Sequence, residues 1–310
     1  MEIHLASPRG FCAGVERAIE IVERALSRFG PPIYVRHEIV HNAHVVWDLE
    51  RKGAVFVDDL ARVPVGSWTV FSAHGVPPSV VEEAESRDLK VIDATCPLVT
   101  KVHIEARSLA NRGYTILLVG HRDHVEVEGV VGEAEDHVLV IENREEAARV
   151  EVTDPSRVAV LTQTTLSVDE ARRVTEVLLR RFPDLVLPRT DDICYATQNR
   201  QDAVKAKSSA VDLWLVIGDK TSSNSNRLRE LGESQGVPAY LCLGADEIDP
   251  SWFDGVRSVG VTSGASTPEH SVQAVLARLA ELGAVLVEDG SEPVEDMAFS
   301  LPEILRGTPR

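Results

Sequence analysis

The amino-acid sequence predicts an α/β fold built from three related α/β units, and three observations carry that prediction. Short β-branched runs alternate along the chain with amphipathic stretches of helical period. Three of the four cysteines, Cys12, Cys96 and Cys194, each stand between such a run and such a stretch. The polar loops downstream recur at matched distances: His41, His124 and Asn224 follow their cysteines by 29, 28 and 30 residues, and His74, Thr164 and Ser266 by 62, 68 and 72.

Taken in order, IHLASPRGFCAGVERAIEIVERAL reads as a strand, a turn, Cys12 and an amphipathic helix. IYVRHEIVHNAHVVWDL then gives a strand and a loop with His41, and WTVFSAHGVPP a strand and a loop with His74. The second block starts with LKVIDATCPLVTKVHIEARSLANRG, where a proline directly after Cys96 suits the first helical position. It continues through YTILLVGHRDHVEVEG with His124 and VAVLTQTTLSVDEA with Thr164. The third block runs from LVLPRTDDICYATQNRQDAVKAKSSA through LWLVIGDKTSSNSNRLREL to VGVTSGASTPEHSV, which bring Cys194, Asn224 and Ser266. The expected domains are therefore 1–95, 96–192 and 193–282, with a closing segment 283–310. Ligands of open α/β sheets gather at the carboxyl ends of the strands. Three such units about a pseudo-threefold axis would bring three cysteines and six polar loops to one central cavity.

Composition narrows the function. The chain has 310 residues, 44% of them hydrophobic and 26% charged, ordinary values for a globular protein able to bury a large core. A formal charge of −17 argues against sequence-independent binding to nucleic acid. No apolar run approaches the roughly 20 residues that span a bilayer, and MEIHLASPRG has no signal-peptide pattern, so a cytoplasmic location is expected. In that reducing compartment the cysteines serve metal binding, catalysis or plain burial rather than disulfides. Cys242, in AYLCLGADE, reads as a buried core residue.

The stretch RHEIVHNAH holds a literal H-E-x-x-H, from His37 to His41, the pattern of zinc proteases. That pattern works only on a helix, where positions i and i+4 share a face. Here it follows Pro31-Pro32-Ile33-Tyr34-Val35, which reads as a strand running into a loop. An extended backbone would hold the two imidazoles roughly 13 Å apart, too far to share one ion.

Three cysteines with an open fourth position fit a [4Fe–4S] cluster or a catalytic zinc, and a large cavity between separate blocks favours the cluster. The loops add His41, His74, His124, Thr164, Ser222, Ser223, Asn224 and Ser266, a set of imidazoles, hydroxyls and amides suited to an anion. Ser222-Ser223-Asn224-Ser225-Asn226 has the composition of a helix N-terminus. Glu126, which alternation along a short strand would place beside His124, is the candidate proton donor.

Together GFCAGVERAI, VHN at 40–42, FSAHGV, DATCPLVTKVH, HVEVEG, TQTTLSVDEA, DDICYATQNRQDAV, SSNSNR and VTSGAS resemble the 4-hydroxy-3-methylbut-2-enyl diphosphate reductases of the LytB family, from about Gly10 to Leu301. The resemblance implies a trefoil of three α/β domains around one [4Fe–4S] cluster, bound by Cys12, Cys96 and Cys194 with the fourth iron open. It also implies a substrate diphosphate held by His41, His74, His124, Ser222, Ser223, Asn224 and Ser266. Glu126 would supply protons, aided by His124, and Thr164 would position the acid or the substrate hydroxyl. The implied reaction is a two-electron reductive dehydroxylation to isopentenyl and dimethylallyl diphosphate, the last step of the methylerythritol phosphate route, with a ferredoxin or flavodoxin as electron donor. One departure stands out. Arg122-Asp123 and Val125 flank His124 where the family carries small residues and a proline.

Overall fold

The computed structural model describes residues 1–287 and 295–306. Of the expected closing segment 283–310, residues 288–294 and 307–310 thus lie outside the described residues. The elements run β1 (Glu2–Leu5), α1 (Ala13–Phe29), β2 (Ile33–Arg36), α2 (Ala43–Lys52), β3 (Ala54–Val57), β4 (Trp68–Phe71) and α3 (Pro78–Ser86). They continue with β5 (Lys90–Asp93), α4 (Pro97–Asn111), β6 (Thr115–Val119), α5 (Val125–Gly132), β7 (Val138–Ile141), α6 (Arg144–Arg149) and β8 (Val158–Thr162). The last third holds α7 (Val168–Arg181), α8 (Tyr195–Lys207), β9 (Leu213–Ile217), α9 (Ser223–Ser234), β10 (Ala239–Cys242), β11 (Ser258–Ser263), α10 (Glu269–Glu281) and β12 (Val285–Val287). Among the described residues no helix is long and apolar enough to cross a membrane.

The fold is α/β, and among the described residues the strands pair in parallel throughout three sheets. By internal contacts the chain divides into two units. The first comprises Met1–Glu16, His41–Val45 and Tyr195–Ala298. It contains a five-stranded sheet in the order β10-β9-β11-β1-β12. Its inner strand β9 is buried along its whole length, as a parallel strand covered on both faces must be. Trp214 on β9 is fully buried and donates its indole N–H to Ser208 Oγ at 3.1 Å. Gly260 on β11 makes room for that ring, since a Cβ there would stand 2.6 Å from it.

The second unit comprises Arg17–Val40, Val46–Cys194 and Phe299–Arg310. It contains a four-stranded sheet, β3-β2-β4-β5, and a three-stranded sheet, β7-β6-β8. The apolar runs TILLV of β6 and VAVLT of β8 are buried almost throughout. Buried Val99, Val102, Ala106 and Leu109 give α4 the apolar stripe that an amphipathic helix buries.

Sheet membership departs from the expected first domain at one strand. β1 pairs with β11 and β12, not with β2, whose two edges are already taken by β3 and β4. A common rule lies behind this. The strand that leads into a cysteine completes the sheet of the preceding block: β5 before Cys96 pairs with β4, and Val186 before Cys194 bridges Ala159 of β8. β1 before Cys12 follows the rule with the last block of the chain as its predecessor.

Candidate functional site

In the second unit, each expected residue is placed by a strand end or a helix start. Cys96 is the N-cap of α4, with Pro97 at the first helical position, and its N–H donates to Ala73 O at 3.0 Å. That carbonyl directly precedes His74. Cys194 donates its N–H to the carbonyl of Thr164 at 3.1 Å. His74 Nδ1 lies 3.2 Å from Ser72 Oγ, and the His74 and His124 rings meet edge to face with centroids 6.1 Å apart.

His124 and Glu126 do not lie on a strand, as alternation suggested. His124 is the N-cap of α5, and its Nδ1 accepts the N–H of Glu126 at 3.1 Å. With Nδ1 accepting, the neutral ring carries its proton on Nε2. The cap bond thus fixes the loop that lacks the family's proline, and Val125 becomes the first helical residue. Glu126 is buried. Its Oε1 accepts Thr164 N–H at 2.6 Å and its Oε2 accepts the Thr164 hydroxyl at 2.9 Å. One carboxyl is therefore locked to the very residue whose carbonyl receives Cys194. The Arg122 side chain is about half exposed to water. It pairs with Glu142 and Glu146 and donates to Val140 O at 2.9 Å. The bond to Arg122 holds the Glu146 carboxyl below its ordinary value.

In the first unit, Cys12 donates its N–H to Ala265 O at 3.2 Å, next to Ser266. Burial pushes its thiol up, while the N–H groups of Val15 and Gly14 and the charge of Arg200 act the other way. Tyr195 Oη accepts the N–H of Ala13 at 3.3 Å, and burial raises its phenol to about 12. Ser266 Oγ donates to the carbonyl of His41 at 2.9 Å, and Asp219 accepts the Ala43 N–H at 3.0 Å, so the His41 segment is tied to two strand-end loops. Ser222 caps α9, which starts at Ser223. Asn224, in the first turn, is buried with both amide heteroatoms lacking a hydrogen-bond partner. A buried amide left open beside a helix N-terminus suits an anionic oxygen.

The same main-chain bond therefore occurs three times. Each cysteine hangs by its N–H from a strand-end loop that carries one of the expected polar residues. As a donor set, three cysteine thiolates suit an iron–sulfur core, in which each would bind a different iron. Among the described residues no three His, Cys, Asp or Glu side chains form a group that could hold one metal ion. The H-E-x-x-H stretch is irregular rather than helical; His37 has φ 59° and faces Asp58 at 3.0 Å. Cys242 is a fully buried core residue, and burial raises its thiol to about 12.

Sequence reasoning missed His103, two turns beyond Cys96 on α4. It is buried, with Nδ1 3.0 Å from Glu133 Oε1, and its ring edge is wedged between Gly75 and Gly129. The only signal was its inclusion in the quoted DATCPLVTKVH stretch. At an open helical site Gly→Ala stabilises by roughly 0.5–1 kcal/mol. A Cβ at Gly129 would come within 3.0 Å of the His103 ring, which Glu133 holds in place. Gly129→Ala is therefore expected to destabilise by about 1–3 kcal/mol in urea unfolding. A midpoint above the wild type would show that the ring is not confined.

A family model described as LytB protein matches residues 3–280. The 4-hydroxy-3-methylbut-2-enyl diphosphate reductase of Ralstonia nicotianae is 55% identical over 305 residues, covering 98% of this chain and 94% of that one. The reductase of the same name from Acidothermus cellulolyticus is 58% identical over 303 residues, 97% of this chain and 89% of the relative. Among solved structures, the E-1-hydroxy-2-methyl-but-2-enyl-4-diphosphate reductase from Plasmodium falciparum superposes with a TM-score of 0.93 at 38% identity, over 98% of this chain and 96% of that one. A second reductase structure, of the terminal enzyme of the non-mevalonate pathway, gives a TM-score of 0.62 at 32% identity, over 91% and 100% of the two chains.

Proposed function

This chain belongs to the LytB protein family, and from that premise we propose that it is an oxidoreductase converting 4-hydroxy-3-methylbut-2-enyl diphosphate to isopentenyl and dimethylallyl diphosphate. The reading assigns Cys12, Cys96 and Cys194 to one [4Fe–4S] cluster with an open fourth iron, at the centre of a trefoil of the three α/β domains. The domains are those of 1–95, 96–192 and 193–282, with β1 belonging to the last. The observation that carries it is the threefold bond from a cysteine N–H to a strand-end loop, which gives three thiols one common setting. When bound, the cluster would supply electrons to an allylic C–O bond and a Lewis-acidic iron to its oxygen.

The chain's own residues do the rest. Two electrons and two protons turn the allylic C–OH into C–H and release water. Glu126 is the acid, aimed by its two bonds to Thr164. Asn224 and the N-terminus of α9, with Ser222, Ser223 and Ser266, take diphosphate oxygens. His41, His74 and His124 donate to the same group, fixing the substrate so that reduction becomes effectively intramolecular. A soluble electron carrier of ferredoxin or flavodoxin type supplies the electrons, in the cytoplasm.

Anaerobic purification tests the reading. The protein should be brown, with about four irons and as many acid-labile sulfides per chain, and should release both products when chemically reduced with the diphosphate substrate. A colourless, zinc-loaded protein overturns the cluster, and a four-iron protein that leaves this substrate unchanged overturns the reaction.

A further inference from the structure

Each of the three cysteines is followed, within the first two turns of its helix, by a basic residue: Arg17 and Lys101 five residues on, Arg200 six. None of these was singled out from the sequence. Arg17, on α1, donates from Nη1 to Ala94 O at 3.2 Å and Thr95 O at 3.0 Å, the two carbonyls before Cys96. Lys101, on α4, donates from Nζ to Thr190 O at 2.6 Å, Asp191 O at 3.1 Å and the Asp192 carboxylate at 2.9 Å, on the approach to Cys194. Arg200, on α8, is fully buried and donates from Nη2 to Gly10 O at 2.7 Å and Phe11 O at 3.4 Å, the two carbonyls before Cys12.

The structure assigns Arg17, Lys101 and Arg200 the role of positioning residues: each, from the helix that follows one cysteine, holds the loop that carries a different one. The order is cyclic. The helix after Cys12 serves Cys96, the helix after Cys96 serves Cys194, and the helix after Cys194 serves Cys12. A cation near a loop carbonyl is commonplace, and charged donors often bond whatever acceptor lies nearby. Three such cations in the second turn of their helices, each on the carbonyls leading into another cysteine, are not explained by that habit. Charge-assisted bonds to carbonyls fix a loop more firmly than neutral ones. Asp192 is tied a second time, its Oδ2 accepting the Thr162 N–H at 2.9 Å. The consequence is that loosening one helix displaces a thiol belonging to another.

This inference rests on the proposed cluster for its purpose, but its test does not need the cluster. Hydrogen exchange of the full chain reads the Cys96 and Cys194 amides, both of which are bonded to carbonyls. Lys101→Met keeps the aliphatic stem and removes the donors. It should speed exchange at Cys194 roughly 10- to 100-fold and leave Cys96 within threefold of the wild type. Arg17→Met should do the reverse. Lys52→Met, which removes a cation paired with Glu23 away from these loops, should move neither. In the iron-loaded protein the same two variants should release iron to a chelator about tenfold faster. Unchanged exchange at the target loop, or equal loosening of both loops by either variant, overturns the assignment. A wild-type chain without iron would remove the cluster and still leave the exchange pattern to decide the positioning role. Arg200→Met strands Glu295 without its buried partner and can fail to fold; the other two variants carry the test alone.

Discussion

Glu126→Gln should turn over roughly 10²- to 10⁴-fold more slowly than the wild type while keeping its full iron and sulfide. Glutamine has the same shape as glutamate. Its amide oxygen can still accept the Thr164 N–H, and its amine can donate to Thr164 Oγ1, so both contacts of Glu126 survive in altered polarity. Only the ionisable proton is lost. The carboxyl that glutamine replaces is buried and bonded at both oxygens. Single-turnover product formation after chemical reduction is the measurement. Turnover within threefold of the wild type, at unchanged iron content, would remove Glu126 from the chemistry.

Cys96→Ser should abolish turnover and strip most of the iron while leaving the fold intact. Serine is a favoured N-cap, so α4 can start where it does, and the backbone bond from residue 96 to Ala73 does not involve the sulfur. What disappears is the soft thiolate that iron–sulfur cores select. Cys242→Ser is the matching control. That thiol is packed in the core of the first unit, where a hydroxyl without a partner costs about 1–3 kcal/mol. The control should therefore lose stability and keep its iron. Wild-type iron in the Cys96→Ser protein, measured with circular dichroism as a check on folding, would refute the ligand role.

Much of this architecture was legible in the sequence because it is periodic. Alternation of apolar runs with amphipathic stretches announces α/β units, and repeated cysteine-to-loop spacings locate the strand-end loops. The cysteines, Thr164 and Asn224 all fall on strand ends or helix starts, where the pattern put them. The misses concern contacts that have no period. Nothing local tells that β1 has β11 and β12 for neighbours, since the β2 edges are filled by strands from its own block. Two residues of a helix cap look the same as two residues of a strand, so Glu126 was read on the wrong element. The ion pairs of Arg122 could not be read locally because its partners, Glu142 and Glu146, lie on a later strand end and helix. The helix cations were in plain view five or six residues after each cysteine, but a lysine or arginine on a helix carries no mark of which carbonyl it will meet.

The place of β1 between β11 and β12 has a consequence for biosynthesis. The first strand to leave the ribosome finds its two neighbours only when residues 258–287 have been made. At roughly 5–20 residues per second that delay is tens of seconds. Through that interval β1 has no sheet to join, and a chain cut short before β11 would leave the strand that leads into Cys12 without the neighbours that set its register.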